Sequence, residues 1–288
     1  MTGPLLKVED LTVRFGGIMA LNQVNFTVQA GSITALIGPN GAGKTTVFNC
    51  LTGFYRAQEG AIQLATDQGE VDLCRLLGQK IRGKDFGHPP DLLVKIYYGF
   101  FGGTHLVSRV GVARTFQNIR LFREMSVLEN LLVAQHLQVN RNILAGVFQL
   151  PSFRRAEAEA VDRAYTWLKI VKLEAFANHL AGSLAYGNQR RLEIARAMCT
   201  GPSLICLDEP AAGLNPRETD ELARLIRTLR QDFQTTVLVI EHDMSLVMGI
   251  SDHVVVLNYG QVIAAAKPHE IQEDPQVLAA YLGTEAQA

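Results

Sequence analysis

A glycine-rich loop with a lysine at its end, following directly on an apolar run, leaves a chain few architectures, and residues 38–46 form such a loop. The stretch Gly38-Pro39-Asn40-Gly41-Ala42-Gly43-Lys44-Thr45-Thr46 follows Ile33-Thr34-Ala35-Leu36-Ile37. It fits G-x-x-x-x-G-K-[ST], the pattern of a strand, a phosphate cradle and a helix. Glycines allow a path that a Cβ would obstruct and turn successive N–H groups inward around a polyphosphate. Lys44 is spaced to reach the β- and γ-phosphates and Thr45 to set its hydroxyl on Mg²⁺. The helix that starts there offers its positive end to the anion. An ordinary strand-to-helix turn is the bland alternative, and the buried-strand character of residues 33–37 weighs against it.

The chain has 288 residues, 48% of them hydrophobic and 19% charged, enough to bury a sizeable core as one large domain or one with a subdomain. A formal charge of −1 gives no basic footprint, so nucleic acid is not expected as a partner. Cys50, Cys74, Cys199 and Cys206 form no C-x-x-C pair, which argues against a zinc site or a disulfide scaffold and for buried thiols. The first residues lack the layout of a signal peptide and no segment approaches ~18 uncharged apolar residues, so a chain that does not span the membrane is expected.

Along the chain, residues 5–15 and 24–28 alternate as half-buried antiparallel strands do, and residues 60–64 resume strand character. Helix 45–51 is released at Gly53. The stretch 66–104 has no clean period; it reads as a surface insert with its own apolar cluster around Tyr97-Tyr98-Gly99-Phe100-Phe101, or as a docking surface for another chain. Residues 110–116 suggest a strand that delivers Gln117. Ser126-Val127-Leu128-Glu129 has the form of a capping box, and residues 152–173 carry Ala160, Ala164, Trp167, Leu168 and Val171 at near-helical intervals. Residues 203–207 and 235–240 suit buried strands, the first ending in Asp208-Glu209 and the second in Glu241-His242. Asn215-Pro216-Arg217-Glu218 opens a helix to about 231, residues 254–257 and 262–265 pair around Asn258-Tyr259-Gly260, and Asp274-Pro275 caps a last helix.

An acidic pair at a strand end is in isolation a solvated turn. Beside a phosphate loop, Asp208 would organise the Mg²⁺ shell opposite Thr45, and Glu209 would align or deprotonate the attacking water. The segment Ser183-Leu184-Ala185-Tyr186-Gly187-Asn188-Gln189-Arg190-Arg191 precedes a helix leading to that strand. Together these motifs resemble the ABC-transporter ATPases. Residues 38–46, Gln117, Asp208-Glu209 and His242 stand where that family has its Walker A, Q-loop, Walker B and switch histidine. Residues 184–189 stand where it has L-S-G-G-Q. Phe15 fits the position that stacks on adenine, although an aromatic near an N-terminal strand is as often core. Leu184-Ala185-Tyr186-Gly187, Ala211-Ala212-Gly213-Leu214-Asn215-Pro216, Glu241-His242-Asp243-Met244, Arg114-Thr115-Phe116-Gln117 and Pro151-Ser152-Phe153-Arg154-Arg155 resemble the LivG-type ATPase of branched-chain amino acid importers more closely. Ala185, Tyr186, Asn188 and Asn215 depart from the general ABC pattern. With alanine at 185, a serine hydroxyl bond to the γ-phosphate is lost, leaving backbone N–H groups near Gly187 and the helix start.

The resemblance implies an α/β P-loop ABC-ATPase fold: a mainly parallel core sheet, an N-terminal antiparallel β-subdomain and an inserted α-helical subdomain. Its implied layout is one domain over 1–288, with 1–119 and 183–288 as core, an insert at about 66–104 and 120–182 as the helical subdomain. It implies ATP and Mg²⁺, with Thr45, Gln117 and Asp208 toward the metal, and Lys44, Gln117, Glu209 and His242 catalytic. The loop from Gly38 to Thr46 with Phe15 would hold one nucleotide. Ala185, Gly187 and Asn188 would face the nucleotide of a second ATPase, a copy or a paralogue, in a head-to-tail dimer. Membrane permeases, indirectly a substrate-binding protein, and a position on the cytoplasmic face of the cell membrane complete the expectation. Urea or another amino acid is the alternative cargo. A soluble ABC ATPase acting on nucleic acid or ribosomes, and a P-loop metabolic kinase, are the rivals from other classes.

Overall fold

The computed structural model describes residues 3–78, 102–135 and 151–285, with side chains as far as Tyr281. Strands β1 (Pro4–Phe15) and β2 (Ile18–Gln29) form an antiparallel hairpin with Phe15 opposite Ile18. β3 is Ile33–Ile37. β4 (Glu59–Thr66) adds to β1 and β5 (Gly69–Asp72) to β4, both antiparallel, so the first sheet runs β2-β1-β4-β5. β5 falls within the stretch that gave no period in the sequence. A four-residue strand is too short to display one, and the aromatic run at 97–101 lies outside the described residues.

The second sheet holds β3 beside β6 (Val112–Arg114), β7 (Leu204–Asp208), β8 (Thr236–Ile240), β9 (His253–Asn258) and β10 (Gln261–Ala266), in the order β10-β9-β3-β8-β7-β6. Its pairs are parallel except the edge hairpin β9-β10. Every residue of β3, β7 and β8 is buried, because both faces are covered, and that is why their sequences read as continuous apolar runs. The carboxyl ends of β3, β7 and β8 share one edge, the customary place for ligands in such sheets.

Ten helices connect these strands among the described residues: α1 (Lys44–Leu51), α2 (Leu73–Leu76), α3 (Thr104–Arg109), α4 (Val127–Ala134), α5 (Pro151–Ile170), α6 (Tyr186–Met198), α7 (Pro216–Gln231), α8 (Met244–Ile250), α9 (Pro268–Glu273) and α10 (Pro275–Glu285). The starts read from sequence are capped as their chemistry requires. Ser126 and Glu129 exchange backbone bonds at α4, and Asn215 and Glu218 do so at α7 with Pro216 in the first turn. Asp274 accepts from Gln276 and Val277 at the head of α10. Helix α9 was not foreseen; Pro268 starts it and Ile271 is its buried residue.

Alternation along β3 divides the core into two packed faces. Ile33, Ala35 and Ile37 join Leu192 and Ile194 of α6 and Leu222, Ile226 and Leu229 of α7. Leu36 faces the opposite way, with Val8, Leu11 and Val28 of the antiparallel sheet and Val47 and Leu51 of α1. Among the described residues of the helical stretch 120–182, Val127, Leu131, Ala164 and Leu168 belong to the first cluster. Each fully buried Leu or Ile there is worth about 1.5–3 kcal/mol relative to exposure.

Candidate active site

The loop after β3 makes its turn through residues that tolerate positive φ: Gly38 at 148°, Gly41 at 79° and Gly43 at 104°. Space demands glycine too. A Cβ on Gly38 would lie 2.0 Å from the Leu257 carbonyl oxygen, and one on Gly43 would lie 2.8 Å from Leu21 Cδ2. Gly43 then begins α1, with Val47 N donating to its carbonyl at 3.0 Å. Lys44 is 6% exposed, and its ammonium donates to the carbonyls of Gly38 at 2.6 Å and Pro39 at 3.0 Å. Burial lowers its pKa below the ordinary 10.5, opposed by the charge of Glu209. A buried cation held only by loop carbonyls is a ready counter-charge for an anion.

Around the loop lies a cavity of about 420 Å³, lined by residues 40–46, Ile18, Met19, Ala20, Glu209, His242 and Tyr259-Gly260. Phe15 does not line it: it is 45% exposed and meets Tyr55 edge-on with ring centroids 5.0 Å apart. The apolar wall of the cavity is made by Ile18, opposite Phe15 in the hairpin, by Met19 and by Tyr259, which is 81% exposed. These three carried no signal in the sequence beyond their place in a hairpin or turn.

Glu209 sits at the cavity with φ at 47°, a left-handed geometry uncommon for a non-glycine residue and of the kind that clusters at functional sites. Its amide donates to the Ile240 carbonyl at 2.9 Å, which anchors the turn to β8. Gln117 Nε2 donates to one carboxylate oxygen at 2.7 Å and His242 Nε2 donates to the other at 2.5 Å. Residues 117, 209 and 242, far apart in sequence, thus form one cluster. Glu241 supports it from behind: its buried carboxylate accepts from Ala211 N at 2.6 Å and His242 N at 3.0 Å, and burial pushes its pKa up.

Asp208, at the end of β7, is bound to a residue for which the motifs imply no role. Arg114 Nη2 donates to Asp208 Oδ2 at 2.7 Å. A second unassigned arginine, Arg190 on α6, is fully buried; it donates to the Phe116 and Gln117 carbonyls at 2.7 and 2.8 Å and to Glu193 at 2.9 Å, fastening the Gln117 loop to that helix. An arginine inside a helix is ordinarily a surface residue, which hid both its burial and its partners.

Ala185 is the N-cap of α6 and makes no side-chain cap bond. Gly187 is buried against Glu218, whose Oε1 would lie 2.6 Å from an added Cβ. Asn188 accepts from Arg191. None of these three lines the phosphate-loop cavity of the same chain.

As to a metal, Thr45 and Asp208 are hard oxygen donors, the kind Mg²⁺ takes. Among the described residues no set of three or more His, Cys, Asp or Glu could hold an ion alone. That combination fits Mg²⁺ carried largely by phosphate oxygens and water.

A glycine loop between a buried parallel strand and a helix, with an acidic pair ending a neighbouring strand, defines a P-loop α/β nucleotide-binding protein. Residues 21–212 match the family model described as ABC transporter, and the chain belongs to that family. Residues 261–287 match the model described as Branched-chain amino acid ATP-binding cassette transporter. The chain is similar to the high-affinity branched-chain amino acid transport ATP-binding protein BraF of Pseudomonas aeruginosa, 52% identical over 98% of this chain and 99% of the relative. The high-affinity branched-chain amino acid transport ATP-binding protein LivG of Escherichia coli K12 is also 52% identical, over 98% of this chain and 99% of the relative. Among solved structures it is similar to an ATP-binding cassette of an ABC transporter in its ADP conformation, 30% identical with a TM-score of 0.74, covering 98% of this chain and 100% of that one. A nucleotide-free cassette has 29% identity and a TM-score of 0.72, covering 96% and 98%.

Proposed function

We propose that this chain is the ATP-hydrolysing subunit of an ABC importer for branched-chain amino acids. One observation carries the chemistry: the Glu209 carboxylate is held between Gln117 and His242 at the rim of the phosphate-loop cavity. A carboxylate fixed at both oxygens beside a γ-phosphate site is suited to align a water and accept its proton as the P–O bond forms. Residues 38–46 cradle the phosphates, with Lys44 exchanging its loop carbonyls for phosphate oxygens. The apolar wall at Ile18, Met19 and Tyr259, with Phe15 opposite Ile18 at the end of the hairpin, takes the base. Mg²⁺, when bound through Thr45, Asp208 and the Gln117 region, supplies charge neutralisation at the phosphates. His242 steadies Glu209.

Residues Ala185, Gly187 and Asn188 point this reading to a second ATPase, a copy or a paralogue, which they would meet head-to-tail across its nucleotide. They do not line the chain's own cradle, so in this reading one chain makes half of each site. Residues 1–119 and 183–288 act as the ATPase core with its β-subdomain, and 120–182 as the helical arm toward the permeases. Arg190 ties that arm's neighbour α6 to the Gln117 loop, a route by which nucleotide state reaches it. No described helix is long and apolar enough to cross a membrane. In this reading permease subunits hold the chain at the cytoplasmic face of the cell membrane, with a substrate-binding protein acting through them. The cargo is taken from the names of the relatives. In membranes holding the assembled complex, binding protein loaded with leucine should stimulate ATP hydrolysis. Stimulation by urea-loaded protein alone would overturn the cargo, and no hydrolysis under any loading would overturn the activity.

A further inference from the structure

Asp208 is fastened by a three-way clamp that the reaction scheme above leaves unused. Arg114 leaves the end of β6 with its side chain 8% exposed, and Asp208 is as deeply set at 7%. One arm of the guanidinium, Nη2, donates to Asp208 Oδ2 at 2.7 Å; the other, Nη1, donates to Asn49 Oδ1 at 2.7 Å and Thr52 Oγ1 at 3.0 Å. Asn49 lies on α1, the helix that begins at the phosphate loop, and Thr52 is its C-cap. The rings of Phe48, Phe54 and Phe116 surround the guanidinium carbon at 5.8, 5.5 and 5.1 Å, so the planar group is confined on its faces as well as its edges. Among the described residues its Nε finds no partner, so the hydrogen bonds that hold the group are those of its two Nη atoms.

From this geometry we propose that Arg114 is a positioning residue for the cation: it occupies Asp208 Oδ2, leaving Oδ1 as the oxygen that would serve a bound metal, and it keys that carboxylate to the helix carrying Thr45. The inference rests on the reading of Asp208 as a metal carboxylate. Groups that hold and orient a metal ligand in this way typically alter metal affinity or activity by roughly 10–100-fold when removed. Lysine cannot reproduce the clamp, because one ammonium cannot offer two fixed arms.

The test uses the full chain with ADP, and Mn²⁺ as the metal probe, its binding followed by electron paramagnetic resonance. ADP affinity in EDTA is measured beside it. Arg114→Lys and Arg114→Met should each weaken Mn²⁺ binding to the ADP complex by roughly 10–100-fold, with metal-free ADP affinity within about twofold of wild type. Asn49→Ala, which loosens the clamp and keeps the charge pair, should lower Mn²⁺ affinity less but in the same direction. A variant at 114 that holds ADP in EDTA as wild type does and binds Mn²⁺ as tightly as wild type overturns the proposal. Should both Arg114 variants fail to fold, unchanged Mn²⁺ affinity in Asn49→Ala overturns it. Wild-type protein that binds no ADP at all would count against the nucleotide reading instead.

Discussion

Gly38 is the point where the cradle depends most on the rest of the fold, and replacing it by alanine separates steric from conformational demands. At φ of 148° an L-residue is strained, a penalty of about 1–3 kcal/mol. The added Cβ would sit 2.0 Å from the Leu257 oxygen and 3.0 Å from its carbon. Those are backbone atoms of β9, whose ladder with β3 runs to Ile37 and Val256, so relief requires moving a central strand. Overpacking of this kind costs about 1–3 kcal/mol more, giving roughly 2–6 kcal/mol in all. At about 2–4 °C per kcal/mol for a chain of this size, the melting temperature of Gly38→Ala should fall by about 4–24 °C. Gly41→Ala is the internal control. It shares a positive φ of 79° but has nothing within 4 Å of the new Cβ, so only the strain of about 1–2 kcal/mol remains. Calorimetric melts of both variants without nucleotide decide the matter. The reasoning fails if Gly41→Ala is as destabilised as Gly38→Ala, or if Gly38→Ala melts within about 2 °C of wild type.

Three further outcomes are expected. Burial depresses the Lys44 pKa from its ordinary 10.5, so without nucleotide the unfolded chain holds that proton when the native chain has lost it. The stability linked to Lys44 is therefore present above 10.5 and lost as pH falls through the folded value. Urea melts of wild type and Lys44→Met at rising pH should show their difference shifting in favour of wild type as 10.5 is approached, and a flat difference would contradict the burial argument. Arg190→Met removes the ion-pair partner of buried Glu193, leaving its carboxylate the Arg120 amide and the nearby Arg196 charge, and should cost about 3–5 kcal/mol in urea unfolding, with Glu193→Leu added to it recovering part of the loss; no recovery would contradict the ion-pair account. Lys44→Ala should lose nucleotide binding or hydrolysis, and unchanged affinity and rate would remove the phosphate-loop assignment.

How legible these features were depended on whether their cause is local. The phosphate loop, the strand ending in Asp208-Glu209 and the caps at Ser126 and Asn215 are contiguous, and each rests on chemistry within a few residues. Motif order placed Gln117 and His242 with Glu209, and the two hydrogen bonds to its carboxylate give that grouping its geometry. The clamp of residues 49, 52, 114 and 208 could not be read, because its members come from three elements and each polar residue alone has a surface explanation. Ile18, Met19 and Tyr259 were missed for the opposite reason: exposed apolar residues in turns are common, and only the cavity marks them. The helical stretch 120–182 was legible as helices, whereas its packing into the sheet's own core is a property of the assembled fold.

Glu209→Gln tests the account at its centre. The exchange keeps the size of the side chain and removes its capacity to accept a proton. Equilibrium ATP binding and single-turnover hydrolysis measured on the same preparation should show binding retained, turnover nearly abolished, and the chain trapped with its ATPase partner. Hydrolysis at the wild-type rate in that variant would contradict it.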